Sequence, residues 1–243
     1  MSQPAELKKE LGGAGLRGQS AGTTALCTVG KTGTGLTYRG FDITDLAHNA
    51  EFEEVAYLLL RGTLPTKHQL DQYKTRLCSL RGLSNDLKKV LELIPSSAHP
   101  MDVMRTGCSF LGNLEQEVDF GDQYQVTERL LAQFPAIICY WYRYSHDGVR
   151  IDTEDQTESC IGGYFLKMLT GKEASEMHKK VMHCSLILYA EHEFNASTFA
   201  ARVCASTLSD QHSCISSAIG TLRGPLHGGA NDAALAMLSL KHL

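Results

Sequence analysis

His227 is the residue of this sequence whose surroundings best suit chemistry. It lies in the run G-P-L-H-G-G-A-N-D, between a Gly-Pro break and a pair of glycines. Pro225 fixes its own φ and has no backbone N–H, so the preceding helix is predicted to end there. The two glycines that follow lack a Cβ and allow the backbone to approach another group closely. A histidine in such a turn has room for a partner.

The position of His227 relative to the next element suggests which chemistry it could perform. From Ala230 onward the residues are good helix formers, so His227 is predicted to lie at or just before a helix N-terminus. The positive end of a helix dipole disfavours imidazolium. A neutral histidine can donate a hydrogen bond to a developing oxyanion. The alternative is a turn histidine without a chemical role.

His192 and Asn195 form a second candidate pair, in the run A-E-H-E-F-N-A-S-T. If the segment is helical, residues three apart share one face, and an imidazole beside an amide offers several donors to a small carboxylate or carbonyl. The alternative is that both residues cap or bend a helix. The run does not match the zinc motif H-E-x-x-H, because Ala196 occupies its last position, and we predict no metal site.

Several motifs together resemble one family. L-H-G-G-A-N-D resembles the active-site histidine motif of the citrate synthase family, and the run around His192 resembles a second motif of that family. Y-W-Y-R-Y-S-H, H-P-M-D-V-M-R-T and the early run T-A-L-C-T-V-G-K with Y-R-G-F-D-I are similar to its 2-methylcitrate synthase branch. The resemblance extends over residues 22–232.

The resemblance implies a reaction and roles for particular residues. Oxaloacetate would condense with propionyl-CoA or acetyl-CoA, and water would release 2-methylcitrate or citrate and CoA, as in propionate catabolism. His227 would stabilise the enol of the thioester, and His192, beside Asn195, would hold oxaloacetate. Arg76 is a further candidate substrate contact, with a solvated helix arginine as the alternative. The family implies a homodimer and no cofactor besides the acyl-CoA substrate.

Some parts of the family pattern find no match in this sequence. They are the second catalytic histidine in a G-x-G-H motif, the catalytic aspartate, the CoA-binding stretch and the arginines of the small domain. We therefore expect most of the large domain with the small domain largely absent, exposed apolar faces that favour association, and no turnover by this chain alone. The alternative function is an inert truncated copy that acts at most as a helical dimerisation module.

Helical periodicity predicts the elements that would position these residues. Two β-prone runs, 26–29 and 36–38, predict a small N-terminal hairpin, and an acidic loop is predicted over 115–125. The pattern is helical from Asp42 onward. The predicted helices are 52–61, 67–80, 86–93, 101–111, 127–144 with a kink at Pro135, 160–169, 177–190, 195–208 and 215–222. The sequence thus predicts an all-α domain over 22–243, after a flexible arm over 1–21.

Composition narrows the class of protein and its partners. A hydrophobic content of 43% and a charged content of 21% are typical of soluble globular proteins. No Lys/Arg cluster indicates nucleic-acid binding, and no apolar run predicts a membrane span. The eight cysteines are spread singly, without C-x-x-C, which disfavours zinc and disulfide scaffolds and favours reduced thiols in a cytoplasmic protein.

Overall fold

The computed structural model describes residues 21–30 and 35–228. This part of the chain contains ten α-helices and three two-residue strands, so the predicted all-α fold with a small β feature is confirmed. The flexible arm predicted over 1–21 lies outside the described residues except for its last residue, and so does the helix predicted after Ala230. The strands are β1 (Cys27–Thr28), β2 (Thr37–Tyr38) and β3 (Phe41–Asp42). The helices are α1 (Ile43–Asn49), α2 (Phe52–Arg61), α3 (Lys67–Ser79), α4 (Asn85–Glu92), α5 (Pro100–Leu114), α6 (Gln123–Asp147), α7 (Ile161–Thr170), α8 (Glu176–Leu188), α9 (Ala196–Ala205) and α10 (Gln211–Leu222).

The three strands form a small antiparallel sheet in the order β1-β2-β3. The first pair is the predicted hairpin, whereas the third strand was not predicted. Strands β2 and β3 are joined by Arg39 and Gly40, whose φ values of 47° and 90° match the left-handed conformations of a two-residue hairpin turn. Arg39 tolerates this conformation because its guanidinium donates to the Leu59 carbonyl at 2.9 Å, which anchors the turn to α2.

Local capping explains where the helices begin and end. Thr66 accepts the Gln69 N–H at the start of α3, while the Gln69 side chain accepts the Thr66 N–H. Ser84 caps α4 in the same way through the Leu87 N–H. Gly62 ends α2 in the left-handed region at φ 93°, a conformation that glycine adopts without strain.

Two helices begin earlier than the sequence pattern predicts. Helix α6 begins at Gln123 rather than at 127, because a short 3₁₀ turn capped by Asp119 leads directly into it. Helix α10 begins at Gln211 rather than at 215. There the Asp210 carboxylate accepts the Ser213 N–H at 2.9 Å, and this cap adds a full turn of polar residues that hydrophobic periodicity does not detect.

Helix α6 is the centre of the larger hydrophobic core. It packs against α3, α4, α5 and α7, and its buried residues include Ile137 and Trp141. Helix α5 approaches closely at Gly107, where an added Cβ would lie 2.7 Å from a methyl carbon of Ile137. A second cluster joins the sheet to α2 and α3 through residues such as Tyr38 and Leu58.

Helices α8, α9 and α10 are less deeply buried than α6. Helix α10 packs on α5 and α9, and α8 packs on α1, α2 and α7. Only Ile187 is fully buried on α8, and α9 buries none of its residues completely. On the outer side of α8, the side chains of Met177, Val181 and Leu188 are exposed. The sequence led us to expect an exposed apolar face, and α8 carries one.

Candidate active site

His227 contacts the first turn of α9. Its Nε2 atom lies 3.3 Å from the backbone nitrogen of Ser197 and 2.9 Å from the Ser197 hydroxyl. The tight turn that carries His227 is closed by the Gly228 N–H, which donates to the Leu222 carbonyl at 2.9 Å. A Cβ at Gly228 would lie 2.3 Å from that carbonyl oxygen, so the close approach predicted for this glycine is confirmed.

Ser197 contacts Nε2 of His227 through two groups. The Ser197 N–H can only donate, which needs a lone pair on Nε2, whereas the Ser197 hydroxyl donates its one hydrogen to Asn195 and faces Nε2 with an acceptor oxygen. None of the described residues hydrogen-bonds to Nδ1. In the tautomer that accepts the Ser197 N–H, the ring has an N–H donor at Nδ1 for a bound ligand. The ring lies at the N-terminus of α9. The sequence instead predicted that His227 precedes a helix that begins near Ala230.

Asn195 is the N-cap of α9. Its Oδ1 atom accepts the Thr198 N–H at 2.9 Å and the Ser197 hydroxyl at 2.8 Å. The carbonyl end of the amide therefore organises the turn that holds His227, and the NH₂ end remains as a donor. Ser197 thus joins Asn195 to His227. Ser197 and His227 are 30 positions apart in the sequence.

His192 lies in the loop between α8 and α9, and its side chain is exposed. The segment is not helical, so the shared helix face considered for His192 and Asn195 does not exist. Glu193 has a φ of 56°, in the left-handed region, which interrupts any helix there. The Glu193 carboxylate accepts the Val29 N–H at 3.3 Å, so this residue has a structural role next to β1.

The β-hairpin supports the loop that carries His192. The Tyr38 hydroxyl lies 2.9 Å from the Ile187 carbonyl and 3.1 Å from the Glu191 carbonyl, and it accepts the Glu191 N–H at 3.2 Å. Tyr38 is fully buried, and burial raises the pKa of its hydroxyl, which keeps the proton available for these bonds. The N-terminal sheet therefore holds in place the loop that leads to the candidate site.

Arg76 lies on α3 and contacts α6. Its Nε atom is 3.5 Å from Glu128, which Arg61 also contacts at 2.8 Å. The Glu128 carboxylate is almost fully buried and shared by two guanidinium groups, an arrangement that joins α2, α3 and α6. The predicted role of Arg76 in substrate binding stays a prediction, and Arg76 would have to leave Glu128 to perform it.

Among the residues that the structure describes, Glu51, Glu53 and His183 are the one group that could hold a metal ion, with ligand atoms within 4.8 Å of one another. His183 Nδ1 already accepts the Phe52 N–H at 3.0 Å, and Glu51 pairs with Lys74. Burial raises the pKa of the Glu53 carboxyl group, which favours its neutral form. We assign this group a structural role in joining α2, α3 and α8.

Comparison with known proteins identifies the family. The family model described as "Citrate synthase, C-terminal domain" matches residues 15–241. The chain belongs to the citrate synthase family. In its described part, every helix is too short or too polar to cross a bilayer.

Individual members of the citrate synthase family match along most of this chain. A "2-methylcitrate synthase" of Shewanella oneidensis is 69% identical over 230 residues, which cover 95% of this chain and 61% of that protein. The "2-methylcitrate synthase 2" of Corynebacterium glutamicum is 43% identical and is covered to 58%. The solved citrate synthase of Thermoplasma acidophilum, in a ternary complex with carboxymethyl coenzyme A and oxaloacetate, matches at 29% identity with a TM-score of 0.85, over 91% of this chain and 58% of that one.

Ser197 is the residue of the candidate site that sequence reasoning missed. Its hydroxyl and backbone N–H together hold the imidazole of His227. The sequence contains a weak signal, since the run N-A-S-T resembles a helix N-cap followed by polar residues. The contact with His227 arises only when α9 and α10 pack together, and local sequence patterns do not predict that packing.

Proposed function

We propose that the chain forms the larger part of an acyl-CoA:oxaloacetate C-acyltransferase of the 2-methylcitrate synthase type. The enzyme condenses propionyl-CoA, or acetyl-CoA as an alternative donor, with oxaloacetate and water, and releases 2-methylcitrate or citrate and CoA. The observation that carries this proposal is the 69% identity to the Shewanella 2-methylcitrate synthase, together with the contacts of His227 with Ser197. The chain spans 61% of the length of that relative.

His227 has the hydrogen bonding that an enol-stabilising group needs. When the thioester loses its α-proton, negative charge develops on the carbonyl oxygen. A neutral imidazole that donates from Nδ1 stabilises this charge without transferring its proton, and Ser197 holds the ring so that no reorganisation is required. The positive end of the α9 dipole acts in the same direction.

The remaining groups are assigned by the same proposal. His192 is exposed and has donors to offer to a carboxylate of oxaloacetate, and the NH₂ group of Asn195 lies at the neighbouring cap. Arg76 is the weaker candidate for a substrate contact. We propose that the carboxylate base and the second histidine come from the part of the enzyme that the full-length relatives have in addition to the matched region.

A chimera tests the proposed activity. Residues 1–232 of this chain would be joined to the segment of the Shewanella protein that follows its matched region, and CoA release would be followed by thiol detection. We expect release that requires oxaloacetate and is faster with propionyl-CoA than with acetyl-CoA. The 243-residue chain alone should release no CoA, because loss of the base lowers the rate of proton abstraction by on the order of 10²–10⁴-fold.

Substitutions in the chimera locate the chemistry. His227→Ala should lower kcat by about 10²–10³-fold, the usual cost of removing one oxyanion donor. The exposed His68→Ala on α3 is the matched control and should leave kcat unchanged. A chimera with native circular dichroism that releases no CoA from either donor would contradict the proposed activity.

We also propose that the protein is a homodimer and that the outer face of α8 takes part in the interface. Met177, Val181 and Leu188 lie within one narrow stripe of this helix, and each is about half exposed or more. An exposed apolar stripe on a helix favours association with a second apolar surface. The proposal includes a cytoplasmic location, no cofactor besides the acyl-CoA substrate, and one helical domain over residues 22–243.

The dimer proposal is tested by light scattering of the purified chain. Val181→Asp should convert the dimer to a monomer, because a carboxylate in an apolar interface loses its hydration. Leu93→Asp, at the end of α4 where the side chain is 83% exposed, is the control and should leave the mass unchanged. A wild-type chain that is monomeric and fully dispersed would contradict this proposal.

A further inference from the structure

Two cysteines approach each other at the closed end of a helical hairpin. Cys204 lies in the last turn of α9, and Cys214 lies in the first turn of α10. The side chain of Cys204 is a neighbour of the Cys214 thiol, and both cysteines are free. Only nine residues separate them along the chain, and the two helices pack directly against each other.

The surroundings of the two thiols differ. Cys214 is buried, with its sulfur 3.8 Å from the Ser209 carbonyl, and it lines a cleft of about 390 Å³ that also contacts Arg202 and Tyr124. Cys204 is partly exposed. Burial and the neighbouring Cys204 raise the pKa of Cys214 to about 11, which makes Cys214 the less reactive thiol before its partner is modified.

We propose that Cys204 and Cys214 are a site of reversible disulfide formation, which is closed by low-molecular-weight disulfides such as oxidised glutathione. The thiolate of Cys204 attacks one sulfur of the oxidant, breaks its S–S bond and releases one glutathione. The thiolate of Cys214 then attacks the Cys204 sulfur and displaces the second glutathione. The two protein thiols are oxidised, the glutathione disulfide is reduced, and the two protons end on the released glutathione molecules.

The disulfide would lock the hairpin that carries the candidate site. Ser197 lies at the start of α9, and the chain reaches His227 after the end of α10, so both occupy the open end of the hairpin. A covalent link at the closed end restricts the separation of α9 from α10 in partly unfolded states. Oxidation should therefore slow hydrogen exchange at the amides of Ser197 and Thr198 and raise the Tm of the chain.

One tryptic peptide reports the reaction directly. Cleavage after Arg202 and Arg223 gives a peptide over 203–223 that contains both cysteines. The purified 243-residue chain would be incubated with oxidised glutathione, alkylated and digested. We expect this peptide to lose two hydrogen atoms and to carry no alkyl group, and dithiothreitol should reverse the change. In the peptide over 181–202, by contrast, Cys184 has no partner and cannot form an internal disulfide.

Single substitutions provide the controls. Cys204→Ser and Cys214→Ser should each abolish the internal disulfide and the oxidation-dependent rise in Tm, whereas Cys184→Ser should retain both. Circular dichroism establishes that each variant is folded, and Cys204→Ala replaces Cys204→Ser if the hydroxyl disturbs the packing. The proposal is overturned if the wild-type peptide remains alkylated on both cysteines. It is also overturned if glutathione persists on Cys204 while Cys214 is alkylated.

Discussion

The part of the molecule centred on α6 and the less buried helices α8, α9 and α10 are built differently. Helix α6 is buried along most of its middle turns, with Trp141 and Ile137 almost inaccessible to solvent. Helix α9, which carries Asn195 and Ser197, has no fully buried residue, and α8 has one. Apolar burial stabilises the first region, whereas the second depends more on caps and hydrogen bonds.

This difference shows how the candidate site is held. His227 is fixed by two contacts with Ser197, and the turn around Ser197 is fixed by Asn195. Individual hydrogen bonds contribute only about 0.5–1.5 kcal/mol each, so the site can open locally while the α6 region stays folded.

The largest effect is expected in the α6 region. Ile137→Ala removes a fully buried side chain next to Gly107 and should cost about 2–5 kcal/mol of unfolding free energy. Val203→Ala on α9, where the side chain is 52% exposed, should change it by no more than about 0.5 kcal/mol. Urea unfolding measures both. Equal losses would show that the two regions are equally well packed and would remove the contrast.

An intermediate effect is expected at the N-cap of α9. Asn195→Ala removes the acceptor for the Thr198 N–H and should cost about 0.5–2 kcal/mol, with faster hydrogen exchange confined to the first turn of α9. Asn195→Asp keeps a cap acceptor and is the matched control, so it should retain slow exchange. If Asn195→Ala left exchange at Ser197 and Thr198 unchanged, packing rather than capping would hold this turn.

The smallest effect is expected at a surface ion pair of the α6 region. Arg150 and Tyr140 hydrogen-bond the Glu92 carboxylate and lower its pKa to about 2. Because the folded-state pKa lies below the ordinary value near 4.5, this pair stabilises the fold above pH 4.5 and loses its contribution as the pH falls toward 2. Arg150→Gln should thus lower Tm slightly at neutral pH.

The pH dependence of that variant provides its own control. The difference in Tm between wild type and Arg150→Gln should shrink as the pH falls below 4.5, because both proteins then approach the same protonated Glu92. A difference that stays constant down to pH 3 would mean that Arg150 acts through its packing on the Tyr144 ring. The centre of that ring lies 4.8 Å from the guanidinium carbon of Arg150.

Local signals in the sequence were sufficient for most helices. Thr66 and Gly62 fix the ends of two helices by capping and by a left-handed φ, and both act within a few residues along the chain. The missed strand β3 depends instead on Arg39, whose left-handed conformation is stabilised by the carbonyl of Leu59. Arg39 is 20 residues from that partner, so local propensity could not indicate the turn.

The candidate site was predictable in its residues but not in its connections. The motif around His227 indicated a tight turn and a neutral imidazole, and the structure adds that Ser197 contacts this imidazole through its N–H and its hydroxyl. The segment between His192 and Asn195 could be helical on composition alone. Its left-handed residue Glu193 is stabilised by contacts with the distant strand β1, which sequence spacing does not reveal.

The hydrogen bonds of Tyr38 also constrain the order in which the chain can fold. Tyr38 and Glu191 are 153 residues apart, so the hairpin cannot complete these hydrogen bonds until the chain has been synthesised past Glu191. Until then the hairpin has no partner for its buried hydroxyl. During translation the α6 core can form first, while the N-terminal strands wait for α8, and contacts of such long sequence separation are slow to form.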